Sequence, residues 1–182
     1  IKSSPTDGAS PVEIIGRDEI DNLNATTIAD ITANIAVNSG SENNTDSFTQ
    51  GSTQGSSSIN LRGLGLSSTL VLIDGKRQTL NSATSNDGSV FVNTSAIPVI
   101  ALDRVEVLKE GAASIYGSDA VAGVVNYILR KDFTGLEIEA SSQEADISGQ
   151  TDDRLGAIWG FEGEAGNFVL ALSQLNRSPM RG

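Results

Sequence analysis

The stretch Ile97–Phe133, IPVIALDRVEVLKEGAASIYGSDAVAGVVNYILRKDF, decides how the rest of the chain is read. It opens on a proline-marked turn and passes into a short alternation, Val105 and Val107 against Arg104 and Glu106. A Gly-Ala-Ala corner and a small-residue turn follow, then a second apolar run, Val124-Val125-Asn126-Tyr127-Ile128-Leu129. Periodicity predicts strand, tight helical turn, strand. Gly111, Gly117 and Gly123 fall at regular spacing, where the chain needs close backbone approach or positive φ.

Upstream, Ser58–Arg77 predicts strand, glycine turn, strand, turn. Thr69–Ile73 is a continuous β-rich apolar run, expected to be buried on both faces. Asp74-Gly75 is a strong hairpin signal. Gly63-Leu64-Gly65-Leu66 superficially suggests a phosphate loop. It lacks a following Gly-Lys-Ser/Thr and leads into a strand, so that reading fails. Further back, Val12–Ile15 reads as a strand, and Arg17–Leu23 and Thr27–Asn34 as short helices, with Thr26 or Thr27 able to cap the second. Residues 1–11 are polar, hold two of the four prolines, and read as a lead-in.

Two polar inserts separate these elements. The first, residues 38–57, holds Asn43, Asn44, Asp46, Phe48 and Gln50; the second, residues 79–96, holds Asn81, Asn86, Asp87 and Phe91, with Phe91 between valines as a short strand. Each reads as a solvated surface loop, or as a ligand-facing loop whose amides and hydroxyls hydrogen-bond a polar ligand. The acidic cluster in the first insert lacks the ligand spacing of a calcium loop, so no metal site is assigned.

Downstream of Phe133, Leu136, Ile138 and Ala140 alternate with Glu137, Glu139 and Ser141. After a polar tip at Asp146–Asp153, Leu155, Ala157, Trp159 and Phe161 alternate with Arg154, Gly156, Ile158, Gly160 and Glu162. Past a short turn, Phe168, Leu170 and Leu172 alternate with Val169, Ala171 and Ser173. Three amphipathic strands of this kind are the signature of a membrane β-barrel wall. Trp159 and Phe161 are expected to face lipid or an interfacial girdle.

Composition narrows the function classes. The 182 residues are 38% apolar but only 4% aromatic, with 19 glycines, which indicates a loop-rich chain. A net charge of −11 argues against nucleic-acid partners and an anionic membrane surface. No Cys and no His remove thiol chemistry, the usual general base and the commonest transition-metal ligand. Only carboxylates remain for catalysis, and Asp152-Asp153 in a strand would point to opposite faces. No enzyme, catalytic residue or cofactor is assigned. No run approaches the roughly 20 apolar residues of a membrane helix, and residues 1–20 do not read as a signal peptide.

The paired blocks carry a family resemblance. Glu106-Val107-Leu108, the small residues, Tyr116-Gly117 and Gly123-Val124-Val125-Asn126 resemble the end of the plug domain of TonB-dependent outer-membrane transporters. Ser58-Ile59-Asn60-Leu61-Arg62-Gly63 and Thr69–Arg77 resemble an earlier block of the same domain, in the family's order and at about its distance. With a match over Val12–Ala33, the resemblance covers most of residues 12–133.

The resemblance implies an α+β fold: a small mixed-sheet plug with short helices over residues 12–133, then antiparallel strands of an incomplete outer-membrane β-barrel over residues 134–182. Plugged barrels close with roughly 22 strands, so the chain reads as part of a longer transporter in a Gram-negative outer membrane. TonB would engage a segment upstream of residue 1, substrate would meet the two inserts, and the plug would sit inside the remainder of its own barrel. The family carries basic residues at the positions of Arg62 and Lys109, where they pair with barrel carboxylates; ordinary pairing within the domain is the other reading. Lys109 lacks the bidentate fork of an arginine, and Glu110-Gly111 stands where Gly-Pro is common in the family. The expected ligand is an iron chelate, cobalamin or oligosaccharide, and the Asn-, Ser- and Thr-rich inserts fit a neutral polar ligand better than an anionic chelate. The alternative from a different class is a structural β protein that self-associates, or forms fibres, through free strand edges.

Overall fold

The computed structural model describes residues 12–39, 53, 55–109, 112–145, 150–164 and 166–178. Packing divides them into two units. One gathers the described residues up to Ile97 together with Leu102–Leu129; the other gathers Pro98–Ala101 with Arg130 onward.

In the first unit, β1 (Val12–Gly16) runs into α1 (Arg17–Asn22), and α2 (Ile28–Ala33) follows. The α2 start is fixed by a capping box. Thr27 Oγ1 accepts from the Asp30 amide at 3.3 Å, and Asp30 Oδ2 accepts from the Thr27 amide at 2.7 Å. Ile20, Ile28 and Ile31 are buried, in keeping with their helix-like spacing, while Leu23 is half-buried.

The sheet of this unit joins β1, β4 (Leu102–Leu108), β5 (Gly123–Leu129), β2 (Thr69–Ile73) and β3 (Lys76–Arg77) in that order. Only the β2–β5 pair is parallel, with Thr69 opposite Gly123 and Ile73 opposite Tyr127. The first four residues of β2 are buried, in keeping with the apolar run. Between β4 and β5 the chain makes a one-turn helix, α3 (Ala113–Tyr116), and a 3₁₀ turn at Ser118–Ala120. The strand–turn–strand reading of the opening stretch therefore holds.

Three local expectations change. Ser58–Leu61 is not a strand; it contributes one isolated bridge, Leu61 to Asn38. Arg62 and Gly63 turn with positive φ of 58° and 66°, which ends any ladder there. The valines around Phe91 form no strand, and the Phe91 carbonyl instead accepts from the Asn81 amide at 2.7 Å. The polar phase of β4 is not solvent-facing throughout, since Glu106 is buried opposite Asn126.

The second unit is an open antiparallel sheet, β6 (Gly135–Ala145), β7 (Gln150–Gly163) and β8 (Gly166–Arg177). The polar tip is shorter than expected at its far end. Gln150–Asp153 belong to β7, because Asp152 finds an ion-pair partner in Arg177 at 2.7 Å and Asp153 accepts from Ser142 Oγ at 2.7 Å. Gly163 of β7 pairs with Gly166 of β8, and Gly166 takes a positive φ of 134°. No helix among the described residues is long and apolar enough to cross a membrane, which says nothing of a β-barrel.

Candidate functional site

Residues 79–96 form an ordered loop rather than a plain solvated one. Asp87 accepts from the Ser89 amide at 2.9 Å and the Ser89 hydroxyl at 2.8 Å, and also from the Ser85 hydroxyl. These bonds, that from Ser85 foremost, hold its carboxyl below the ordinary carboxylate range. Asn86 and Asp87 lie exposed at this turn, Asn81 is half-buried at the loop's start, and Phe91 is buried beneath it. The loop is fastened to the 310 turn at Leu66–Ser68 by Ser67 Oγ, 3.2 Å from the Val90 amide.

Asn93 and Thr94 anchor the other end. Asn93 Oδ1 accepts from the Ser57 and Ser95 amides at 3.1 and 3.0 Å, and the Ser57 and Thr94 hydroxyls lie 2.7 Å apart in the interior. Sequence reasoning passed over both residues; the Asn-Thr-Ser composition alone marked them as loop. The first-insert candidates Asn43, Asn44, Asp46, Phe48 and Gln50 lie outside the described residues, as does Gly111.

Arg62 and Lys109, read as a pair of basic contacts, are engaged differently. Arg62 Nη2 donates to the carbonyls of Val121 at 3.0 Å and Ala122 at 3.1 Å, bracing the turn before β5. Lys109 Nζ lies 3.0 Å from Glu13 Oε2, tying β4 to β1. Both side chains thus have work within the first unit, and Arg62 remains exposed.

The turn glycines stand where the backbone demands them. Asp74 and Gly75 take φ of 52° and 76°, the signature of a type I′ hairpin. Asp74 Oδ1 accepts from the Leu129 amide at 3.1 Å, and the Gly75 amide donates to Asn126 Oδ1 at 2.9 Å. Asn126 Nδ2 in turn donates to Glu106 Oε2 at 3.2 Å, and Arg104 Nε donates to Glu106 Oε1 at 2.9 Å. Burial disfavours the Arg104 charge, but its bonds to Asp103 and Glu106 outweigh that and leave it more firmly protonated than a free arginine. This buried polar chain across β4, β5 and the hairpin escaped sequence reasoning. Its signal was present in one Asn within an apolar run and one Glu between two valines. Tyr116 packs on the apolar cluster of Val12, Leu70, Leu72, Leu108 and Val124, and its carbonyl accepts from Arg77, whose other nitrogen pairs with Asp119 at 2.6 Å.

The second unit presents two chemically distinct faces. Leu136, Ile138, Leu155, Trp159, Phe161, Phe168, Leu170 and Leu172 share one face by register, and all are exposed. The opposite face carries the ion pairs Arg130–Glu137, Arg154–Glu139 and Arg177–Asp152 at 2.7 to 2.8 Å. Trp159, Phe161 and Phe168 cluster toward the tight turn, with the Trp159 and Phe168 rings edge-on at 6.0 Å. An exposed apolar band with aromatics at one rim is built for lipid. Among the described residues no group of His, Asp or Glu side chains is placed to hold a metal ion.

A small mixed sheet with an ordered polar loop, followed by strands with one lipid-type face, defines a plug and the first wall strands of an outer-membrane β-barrel receptor. The profile of the TonB-dependent receptor plug domain matches residues 4–124, and the chain belongs to that family. It is 40% identical over 78 residues to an iron-regulated outer membrane virulence protein of Vibrio cholerae serotype O1, a match covering 42% of this chain and 12% of that protein. The fold is similar to the ferric citrate transporter FecA in its unliganded form, with a TM-score of 0.73 and 24% identity over 94% of this chain and 26% of that one. It is also similar to the siderophore receptor PirA of Acinetobacter baumannii, with a TM-score of 0.66 and 23% identity over 90% of this chain and 24% of that one. The chain therefore spans about a quarter or less of the length of these relatives.

Proposed function

We propose that this chain gates uptake as the plug and opening wall strands of a TonB-dependent outer-membrane receptor for an iron chelate. The carrying observation is the pairing of a plug-family sheet with a strand unit whose exposed face is apolar and whose other face is ion-paired. Its place is the outer membrane of a Gram-negative cell, and its work is transport rather than catalysis. Ligand binds from outside, with Asn86 and Asp87 on the ordered loop among its contacts. The energy-transducing partner TonB pulls on the chain upstream of Val12, and the plug rearranges. Similarity to an iron-regulated outer membrane protein, a ferric citrate transporter and a siderophore receptor favours an iron chelate over cobalamin or an oligosaccharide.

The test uses a strain in which the receptor carrying this chain is the sole route for the ligand offered. TonB-dependent growth on ferric siderophores under iron restriction supports the reading. Growth on cobalamin or oligosaccharide instead would replace the ligand class, and no TonB-dependent uptake of any of them would sink it. The open edges of β6 and β8 favour one other reading, assembly of copies through strand pairing. A monomeric receptor in detergent would dispose of that alternative.

A further inference from the structure

Within the second unit, two chain segments are fastened to the strands. Pro98–Ala101 forms a 3₁₀ turn closed by the Ala101 amide on the Pro98 carbonyl at 3.0 Å. The Ile100 side chain fills a notch over Gly156 of β7; three of its carbons lie 3.5 Å from where a Cβ on that glycine would sit. The segment after β5 is held by each strand in turn. Arg130 makes a two-nitrogen ion pair with Glu137 of β6, both bonds at 2.8 Å. The Phe133 carbonyl lies so close to Gly160 of β7 that a Cβ there would be 1.8 Å away. Asn167 of β8 donates to the Lys131 carbonyl at 2.6 Å.

Arg130 also joins the two segments to each other. Its amide donates to the Ala101 carbonyl at 2.9 Å, its Nη1 to the Ile100 carbonyl at 3.3 Å, and its guanidinium lies 4.4 Å from the Phe133 ring centroid. A guanidinium uses five fixed donors and a flat face, and here carbonyl, carboxylate and ring are all engaged. Glu137 sits on the ion-paired face of the sheet, away from the apolar band.

From this geometry we propose that Pro98–Ala101 and Arg130–Phe133 are a fixed anchor on the strand sheet, with Arg130 as its staple. Rearrangement of the first unit during uptake stops at the junctions 97/98, 101/102 and 129/130. The anchor keeps the chain fastened while residues up to Ile97 move. The second half of this statement rests on the transport reading above; the first does not.

Native-state hydrogen exchange on the intact receptor in rising denaturant tests the anchor without any transport. The Ala101 and Arg130 amides are expected to open together with β6–β8, at denaturant concentrations where β1–β5 already exchange. Glu137→Gln, which keeps the side chain's shape, is expected to speed exchange at those two amides by about tenfold while leaving the centre of β7 unchanged. Opening of Ala101 and Arg130 together with β4 and β5 would overturn the anchor.

A disulfide then tests the stop. The Cβ separation makes the Ile100→Cys, Gly156→Cys pair bridgeable. Oxidised receptor is expected to take up ligand as fast as its reduced form. Uptake lost on oxidation and restored by reduction would mean that the anchor must separate. If neither the reduced variant nor the unmodified receptor transports any ligand, the transport reading fails, and the exchange order still decides the anchor.

Discussion

Asp87 holds its turn with an exposed carboxylate, and that gives the loop a pH signature. Its carboxyl lies below the ordinary value of 3.8 because hydrogen bonds from Ser85 and Ser89 favour the charged form. A depressed folded-state pKa contributes order that is fully present above pH 3.8 and fades as the pH falls below it. Amide chemical shifts of Ser89 are expected to follow that fade, and Asp87→Asn should flatten the profile. Tyr127 presents the opposite case. Its hydroxyl is wholly buried without a well-formed hydrogen bond to any described residue, and burial raises its pKa despite the Thr94 side chain nearby. Tyr127→Phe removes a desolvated polar group, so it is expected to leave stability unchanged or raise it by about 1 kcal/mol, read by chemical unfolding. A loss above that size would show that the hydroxyl has a partner. Polar composition marked residues 79–96 as a loop, but the hydrogen-bonded turn that Asp87 makes with Ser85 and Ser89 was not legible. Nor was the Tyr127 environment, since one aromatic in an apolar run says nothing of what its tip meets.

At the scale of elements, the glycines separate two demands that sequence spacing treats alike. Gly117 has φ of 91° with open space around the missing Cβ, whereas Gly123 has φ of 139° and its Cβ would meet the Leu108 carbonyl oxygen at 2.6 Å. Gly117→Ala is expected to cost about 1 kcal/mol from backbone strain alone. Gly123→Ala should cost about 2–4 kcal/mol, since β4 must also shift. Equal losses in unfolding midpoint would contradict the distinction. Strands β2, β4 and β5 were legible from their β-rich runs, and α2 from its cap. The Ser58–Leu61 strand failed because Arg62 and Gly63 turn the chain, and the backbone groups of Asn60 and Leu61 go to Asn38, Ser39 and the Thr69 hydroxyl instead. The polar chain from Arg104 through Glu106 and Asn126 to Gly75 joins residues far apart in sequence, so only strand pairing reveals it.

For the molecule as a whole, the lipid-type face fixes what a charge would do. Trp159→Arg in the assembled receptor is expected to destabilise it by up to about 2–4 kcal/mol if the residue lies at mid-bilayer, and by about 0–1 near the interface. Urea unfolding in liposomes gives the value, and its size locates Trp159 in depth. Gain of stability would show that this face does not meet lipid. By itself, the sequence determined the class of each part: local runs, turn residues and period-two alternation depend on neighbours a few positions away, and they announced a glycine-cornered sheet and three amphipathic strands. Only the tertiary structure decided that Pro98–Ala101 joins the strand unit, that Arg62 braces a turn and Lys109 an edge strand, and that Glu106 is buried. Those outcomes depend on which distant groups satisfy a charge or fill a notch, and a long-range partner leaves no period in the chain.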